Sequence, residues 1–560
     1  MQWLKKNKIK VILGTFCVVF FVIYSYLPLS QIIQSDISMD EIGMRFNTPD
    51  EVMNFHFTNI FVDENKMYYI EPYNLVANGV VFPRWAKPLD DKVTLGTFQG
   101  IILIYGSIAK VFSKFVIPFL TPIFAIIGVL FFYGIVRMIF DKKIALISAI
   151  LMFIFPGFIY YASRTMFHNV LFLSLLLGGI YFLLKLFYAE KNKPSKATPR
   201  GKYIYSVLTG LFFGLSLITR TSEIVWVLLI VLIILGFNFK KIKWKYLLIS
   251  LIIFILCFVP VLANNKAMYG SYLATGYSRV VSENLEEISH AEQIGLFEAM
   301  LLPFGFHPRV IVAHSIYKYF IHLFYFHILL FILGLVWFFK SEKTKKQKMY
   351  FWFFLMSSIF ILTYYGSWFF QDSLDPKLVS VGSSYVRYFL PIYIFALPFV
   401  GFLFVKLWEL KKKIWNRALV VVLMLSILCI SLNMIYSKKP ESLVQIKNNL
   451  LQYRIQAKDI LSKTHPDDII LTDVSNDKVV FPERKHLIIP QNGDELKSVK
   501  VLIEFTDVWF FYRSKDINVE YFNENKFNPY GLQIVDSQEI NAGGILFKVI
   551  SDTEYFAKNI

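Results

Sequence analysis

Cysteine is scarce in this sequence: Cys17, Cys257 and Cys429 are the only three among 560 residues, and each lies inside a long apolar run. Thiols in such runs are typical packing residues, so neither a disulfide framework nor a cysteine zinc site is indicated. Internal repeats and low-complexity linkers are also lacking. A repeat architecture is therefore not indicated either.

Apolar residues, by contrast, are in excess. The chain is 56% hydrophobic and 18% aromatic, whereas soluble domains have about 45–50% apolar residues. This excess indicates lipid as a second solvent. The N-terminus has four lysines between residues 5 and 10 and then an apolar stretch to Leu29. That stretch is longer than the apolar region of a signal peptide and has no small-residue cleavage site, so we predict an uncleaved first span.

Eleven apolar runs are long enough to cross about 30 Å of hydrocarbon as helices. They lie at 9–29, 115–140, 144–162, 166–188, 203–218, 224–239, 246–263, 319–339, 349–370, 385–408 and 418–436. A shorter apolar segment at 98–113 is interrupted by Lys110 and followed by Lys114. It fits a span, a hairpin arm or an interfacial helix.

Six basic segments set the topology. They are the N-terminus, 137–143, 190–202, 240–245, 340–348 and 406–417. Together they carry 26 Lys and Arg residues and four acidic ones, a net +22 that exceeds the +18 of the whole chain. Basic loops stay in the cytoplasm, so the charge indicates topology and no nucleic-acid partner is expected. All six segments fall on the cytoplasmic side only if 98–113 does not complete a crossing.

We therefore predict an all-α polytopic membrane protein with about 11 transmembrane helices and a cytoplasmic N-terminus. Residues 1–436 form the transmembrane domain, with an outer loop at 30–97, and further outer segments lie at 264–318 and 371–384. Short β-type runs after an amphipathic start predict a small extracytoplasmic α/β domain at 437–560.

An acidic pair stands in the outer loop, within Thr48-Pro49-Asp50-Glu51. If a helix begins after Pro49, both carboxylates occupy its first turn, where the helix dipole favours negative charge. His56 follows five residues after Glu51. The pair is equally well explained as helix-start acids on a solvated loop.

Arginines recur at the outer ends of later spans: Arg164 after YYAS, Arg220 in ITRTSEIVW with Glu223, and Arg387 in SSYVRYFLPIY. An arginine at a helix end can extend to the interface at small cost. These three, however, lie on the face depleted of basic residues. Several arginines converging there would suit a phosphate or pyrophosphate group, which guanidinium binds through two parallel hydrogen bonds.

The order of these features resembles the GT-C superfamily, the integral-membrane glycosyltransferases that use polyprenyl-phosphate sugars. The protein-mannosyltransferase and lipid A aminoarabinose-transferase types are the most similar. The segments that carry the resemblance are TPDE (48–51), FPGFIYYASRTMFHN (155–169), LITRTSE (217–223) and VRYFLPIY (386–393). They cover about 1–410 in order and spacing.

The resemblance implies a plasma-membrane enzyme that moves a sugar from a polyprenyl-phosphate donor to an acceptor on the extracytoplasmic face. Asp50 would be the general base, and Glu51 would position the acceptor or bind a divalent ion. Arg164, Arg220 and Arg387 would bind the lipid phosphate. Further substrate contacts are expected from Glu223, Tyr388 and His56. Metal dependence is left open: a divalent cation, Mg²⁺ or Mn²⁺, would suit Asp50, Glu51 and His56, and a metal-free base mechanism fits these residues equally well.

Two other function classes stay open. A lipid or polysaccharide flippase would carry charges near the middle of the bilayer, whereas these charges lie in a loop and at span ends. A scaffold that displays its tail outside would tolerate Asp50→Asn. The sugar is open, and the acceptor could be a protein, a polysaccharide, a teichoic acid or a glycolipid.

Overall fold

The computed structural model describes residues 2–34, 43–188, 199–276, 301–370, 375, 378–410, 413–473, 476–490 and 493–552. Parts of several predicted segments lie outside these residues: the outer loop 30–97, the basic segments 190–202 and 406–417, the outer segments 264–318 and 371–384, and the tail. The chain divides into two compact units. The first comprises Met1–Leu27, Pro118–Val261 and Leu285–Gln445, and the second comprises Pro28–Ile117, Leu262–Asn284 and Ile446–Ile560.

The first unit is helical. Its helices, wholly or mainly in this unit, are Gln2–Tyr24, Ile117–Ile139, Lys142–Ile154, Pro156–Ser163, His168–Tyr188, Pro199–Thr219, Ile224–Phe237, Trp244–Leu256, Leu323–Lys340, Lys345–Gly366, Ser384–Tyr388, Leu390–Glu409 and Lys413–Tyr436. A π-helix, Ile311–His322, leads into Leu323–Lys340. Glycines permit close helix approach: a Cβ on Gly210 would overlap the Ser250 carbonyl, and one on Gly334 the Phe399 carbonyl. Such contacts are typical of helix packing in membranes.

Each of the eleven predicted spans corresponds to helix. Among the described residues, nine helices are long and apolar enough to cross a membrane. The predicted span 144–162 is a pair of helices, Lys142–Ile154 and Pro156–Ser163, bent by 56°. The bend falls at Phe155, which has extended backbone angles, because a residue before proline avoids the helical region. The eleventh run is the shorter apolar helix Thr221–Phe237. The predicted polytopic helical fold is confirmed, and the chain is a multi-pass membrane protein.

The second unit mixes helices and two sheets. Its helices are Tyr26–Gln34, Pro49–Glu64, Gly100–Phe112, Val259–Tyr269, Leu443–Lys463, Asp477–Val480, Gly493–Leu502 and Val519–Phe522. Gly100–Phe112 covers the segment predicted not to cross; its 13 residues span only about 20 Å as a helix. A small antiparallel sheet has the order β1–β3–β2, with β1 Tyr68–Ile70, β2 Ala86–Leu89 and β3 Lys92–Leu95.

The tail contains the predicted small α/β fold. Its sheet has the order β5–β4–β6–β8–β7. The strands are β4 Ile469–Thr472, β5 Leu487–Ile488, β6 Val508–Tyr512, β7 Leu532–Glu539 and β8 Ile545–Ser551. β4 pairs in parallel with β5 and β6, whereas β6–β8 and β7–β8 are antiparallel. All four residues of β4 are buried, which explains its continuous apolar sequence IILT.

The outer loop contributes to the core of this tail fold. Ala77 and Val81, both fully buried, pack in one cluster with Ile469, Leu471 and Val508 of the strands. Glu71, buried as well, accepts a bond from His486 Nδ1 at 2.8 Å. The structure therefore groups loop and tail in one unit, whereas the sequence analysis divides the chain between residues 436 and 437. That boundary stays a prediction.

Candidate functional site

The three predicted arginines all lie at helix ends of the first unit. Arg164 follows Pro156–Ser163 and is 3% exposed, and Arg220 precedes the helix at Ile224 and is 7% exposed. Arg387 lies in the short helix Ser384–Tyr388 and is partly buried. Charges that are this deeply buried need specific partners.

Two aromatic rings link the three guanidinium groups. The Cζ atoms of Arg164 and Arg387 lie 5.1 and 4.7 Å from the centre of the Phe167 ring. The Tyr388 ring in turn lies 5.3 Å from Arg387 Cζ and 5.4 Å from Arg220 Cζ. Distances below about 6 Å are typical of cation–π contacts. The structure thus brings the predicted arginines into one cluster, which we call the arginine–aromatic cluster (Arg164, Phe167, Arg220, Arg387 and Tyr388).

Glu223 organises one end of this cluster. Its Oε1 accepts from Arg220 Nε at 2.7 Å and from the Tyr365 hydroxyl at 2.6 Å. Its Oε2 accepts from Trp226 Nε1 at 2.5 Å, and Arg220 Nη2 donates to the Tyr365 hydroxyl at 3.0 Å. Both carboxylate oxygens are therefore engaged with protein groups, and this network fixes the orientation of the guanidinium group.

We did not predict Phe167, Trp226 or Tyr365 as site residues from the sequence. Trp226 follows Glu223 at the spacing of one helical turn, so its contact could have been inferred. Phe167 lies within the quoted segment FPGFIYYASRTMFHN but was not distinguished there. Tyr365 stands 142 positions after Glu223, and no sequence signal separates it from neighbouring Tyr364.

The acidic pair lies in the second unit, at the predicted helix start. The helix Pro49–Glu64 has Thr48 as its N-cap, Pro49 at the start and both carboxylates in its first turn. Glu51 is 2% exposed, and its Oε2 accepts from the Thr48 amide at 3.3 Å and from the Thr48 hydroxyl at 3.0 Å. Glu51 therefore acts as the acid of a capping box, while Asp50 is only partly buried.

His56 lies on the same helix and is enclosed by aromatic rings from other segments. It is 7% exposed, and its ring lies 4.6 Å from Phe481 and 5.7 Å from Tyr69. Its Nε2 has no hydrogen-bond partner among the described residues. Burial lowers the pKa of the imidazole to about 3, so the ring is neutral at physiological pH. This environment is that of a packing residue.

The predicted metal ligands do not form one group. On a helix, positions five and six residues apart point to different faces, which separates His56 from Glu51 and Asp50. Among the residues that the structure describes, no group of three or more His, Cys, Asp or Glu side chains could hold a metal ion. A divalent cation stays a prediction, and one here would need substrate oxygens as additional ligands.

We predict that His56 makes folding sensitive to acid. Because its pKa is about 3 in the folded chain and about 6.5 when unfolded, the unfolded chain takes up the proton first as the pH falls. The free energy of unfolding should therefore fall between pH 6.5 and pH 3, and at pH 5 it should be lower by on the order of 2 kcal/mol. The apparent Tm of His56→Phe should fall less than that of the wild type between pH 7 and pH 5. Equal decreases would contradict this assignment.

Comparisons with known proteins were made by sequence and by structure. The family model of dolichyl-phosphate-mannose-protein mannosyltransferases matches residues 100–263, which is less than half of the chain. Among curated protein sequences, none matches the chain significantly.

Solved structures resemble the whole chain. The oligosaccharyltransferase of Archaeoglobus fulgidus, tethered with an acceptor peptide, has a TM-score of 0.53 at 12% identity, covering 92% of this chain and 70% of its own. The archaeal oligosaccharyltransferase AglB from Archaeoglobus fulgidus, in complex with an inhibitory peptide and a dolichol-phosphate, has a TM-score of 0.53 at 13% identity, covering 91% of this chain and 70% of its own. ArnT from Cupriavidus metallidurans, bound to undecaprenyl phosphate, has a TM-score of 0.53 at 9% identity, covering 97% and 98%. At such identities the likeness shows the fold. The predicted resemblance is confirmed at that level: this chain is a multi-pass membrane protein with the fold of the GT-C superfamily.

Proposed function

We propose that the chain is a membrane glycosyltransferase that moves a sugar from a polyprenyl-phosphate donor to an acceptor on the extracytoplasmic face. The observation that carries the proposal is the arginine–aromatic cluster, in which three guanidinium groups are held by two shared rings. Guanidinium groups bind the oxygens of a phosphate through paired hydrogen bonds. The GT-C fold supports the proposal, since AglB and ArnT were solved with dolichol-phosphate and undecaprenyl phosphate.

In the proposed reaction, Asp50 takes the proton from the nucleophile of the acceptor. The nucleophile forms a bond to the anomeric carbon of the sugar, and the bond between that carbon and the phosphate oxygen breaks. Polyprenyl phosphate leaves with the electron pair and one more negative charge. The arginines stabilise that charge as it develops, which lowers the barrier. Asp50 suits the role of base because it is only partly buried in the first turn of its helix and is therefore accessible to an acceptor.

Glu223 has a supporting role in this scheme. Because both of its oxygens are engaged by Arg220, Tyr365 and Trp226, we propose that it orients Arg220. Tyr388 separates two of the guanidinium groups and keeps their spacing. We propose the extracytoplasmic face because the six basic segments assign the other ends of the spans, away from the arginines, to the cytoplasm.

The experiment that tests this function uses the purified chain in proteoliposomes with polyprenyl-phosphate sugars labelled in the sugar. A membrane extract serves as the source of acceptor. Transfer releases one free polyprenyl phosphate for each labelled sugar that leaves the lipid fraction. If the label instead remained on the lipid and only changed leaflet, the chain would be a flippase and the proposal would be wrong.

Tyr365 provides a finer test of the cluster. Tyr365→Phe removes a hydroxyl that accepts from Arg220 and donates to Glu223. Each of these two buried charged groups then lacks one hydrogen bond. We expect roughly tenfold slower transfer, which corresponds to about 1.4 kcal/mol, within the range for two lost hydrogen bonds of about 0.5–1.5 kcal/mol each. Tyr364→Phe is the control, because the Tyr364 ring packs on Tyr365 without entering the network. Equal rates for the two variants would contradict the assigned network.

A further inference from the structure

We propose that the tail positions the acidic pair, and that Lys478 is a positioning residue for Asp50. The inference rests on the proposed function, since it gives the extracytoplasmic tail a part in the same reaction. Its basis is a set of contacts inside the second unit that residues 477–484, Asn449 and Tyr453 make with residues 43–56. We call residues 477–484, Asn449 and Tyr453 the tail clamp.

The first contact fixes Asn47, two residues before the helix Pro49–Glu64 begins. Lys478 Nζ donates to the carbonyl oxygen of Asn47 at 3.0 Å. The Asn47 side chain in turn accepts from Asn449 Nδ2 at 3.3 Å and from the Tyr453 hydroxyl at 3.5 Å. Asn449 and Tyr453 are four residues apart on the helix Leu443–Lys463, so they share one face. Both the backbone and the side chain of Asn47 are thus held by the tail.

The second contact fixes the chain that enters the helix from upstream. Arg45, 1% exposed, donates from Nη1 to Glu483 Oε2 at 2.7 Å and to the Phe481 carbonyl at 3.0 Å. Glu483 also accepts from the Gly43 amide at 2.9 Å. A buried ion pair with additional hydrogen bonds specifies geometry strongly. The segment before Pro49 is therefore held at both Arg45 and Asn47.

The third contact is made with a residue inside the helix Pro49–Glu64. The Phe481 ring packs edge-on against His56 at 4.6 Å, less than two turns after Asp50. The clamp therefore contacts the chain before and after the acidic pair. Since this pair occupies the first turn, a shift of the entering chain would move the Asp50 carboxylate directly. A displacement of about 1 Å can lower a rate as much as 100-fold.

Lys478 is the residue best suited to a test. It is partly exposed and donates to a backbone oxygen, whereas Arg45→Ala would leave Glu483 without its ion-pair partner. Lys478→Met keeps an aliphatic side chain and removes the ammonium group, whose Nζ lies 5.3 Å from the centre of the Tyr453 ring. Lys478→Arg keeps a donor, and Lys515→Met is a matched control, because Lys515 forms an exposed pair with Glu539 elsewhere in the tail.

Amide hydrogen exchange on the full chain tests the clamp without requiring activity. We expect roughly tenfold faster exchange at the amides of Thr48 and residues 50–52 in Lys478→Met, near wild-type exchange in Lys478→Arg, and no change in Lys515→Met. Unchanged exchange in Lys478→Met would overturn the proposal.

Transfer kinetics then test the link to catalysis. Lys478→Met should lower kcat roughly tenfold with the donor KM unchanged, and Lys478→Arg should restore most of the rate. Faster exchange with an unchanged kcat would overturn the positioning role. An inactive wild type would overturn the proposed function instead, and the exchange result would then decide the clamp by itself.

Discussion

Replacing Asp50 with Asn is expected to lower the rate of sugar transfer by at least about 100-fold, because a positioned general base contributes roughly 10²–10⁴ to a rate. Asn has nearly the same shape, so the helix Pro49–Glu64 should keep its start, which is fixed by Pro49, Thr48 and Glu51. The loss of one negative charge at the helix N-terminus should cost only about 0.3–1 kcal/mol of stability. The initial rate of labelled transfer, at equal amounts of folded chain, measures the effect.

Asp63→Asn is the matched control for Asp50. Asp63 lies near the other end of the same helix, exposed and paired with Lys114 at 2.6 Å. Exposed ion pairs contribute little to stability, so this variant should transfer sugar at the wild-type rate. If Asp50→Asn retained activity within twofold of Asp63→Asn, Asp50 would not be the base.

Replacing Arg387 with Lys is expected to lower kcat/KM for the donor by about 100-fold. Lysine keeps the charge, but it lacks the planar fork that binds phosphate through two bonds. It would also lose the stacking on Phe167 and Tyr388, so the shared rings would no longer fix its position. The measurement is the dependence of transfer rate on donor concentration.

The control for this variant is Arg309→Lys. Arg309 belongs to the same unit and is exposed at the short helix Pro308–Val310. We expect it to behave like the wild type. An Arg387→Lys variant with wild-type kcat/KM would show that charge alone is sufficient there, and would remove Arg387 from specific phosphate recognition.

Much of the helical fold follows from the sequence because a membrane span needs a long apolar run. The bend at Phe155 could have been read from Pro156. The capping role of Glu51 was also visible, since Thr48 and Glu51 have the capping-box spacing. The π-helix Ile311–His322 had no such signal.

The contacts that decide the site were harder to predict, because they join distant positions. Arg45 and Glu483 are 438 residues apart, and neither stands out in its own segment. Tyr365 is one of two adjacent tyrosines at a span end, and only the packing of helices selects it for Arg220 and Glu223. Arg164, Arg220 and Arg387 could be singled out from the sequence because they lie on the face predicted to be extracytoplasmic, where positive charge has no predicted role in topology.

We propose that different residues of this chain bind the lipid phosphate and remove the proton from the acceptor. Equilibrium binding of radiolabelled undecaprenyl phosphate to the purified wild type, Asp50→Asn and Arg387→Lys tests it most directly. We predict that Asp50→Asn binds with a Kd within about twofold of the wild type, and that Arg387→Lys binds at least roughly tenfold more weakly. Equal affinity of all three proteins would contradict the account, because the arginine–aromatic cluster would then not be the phosphate site.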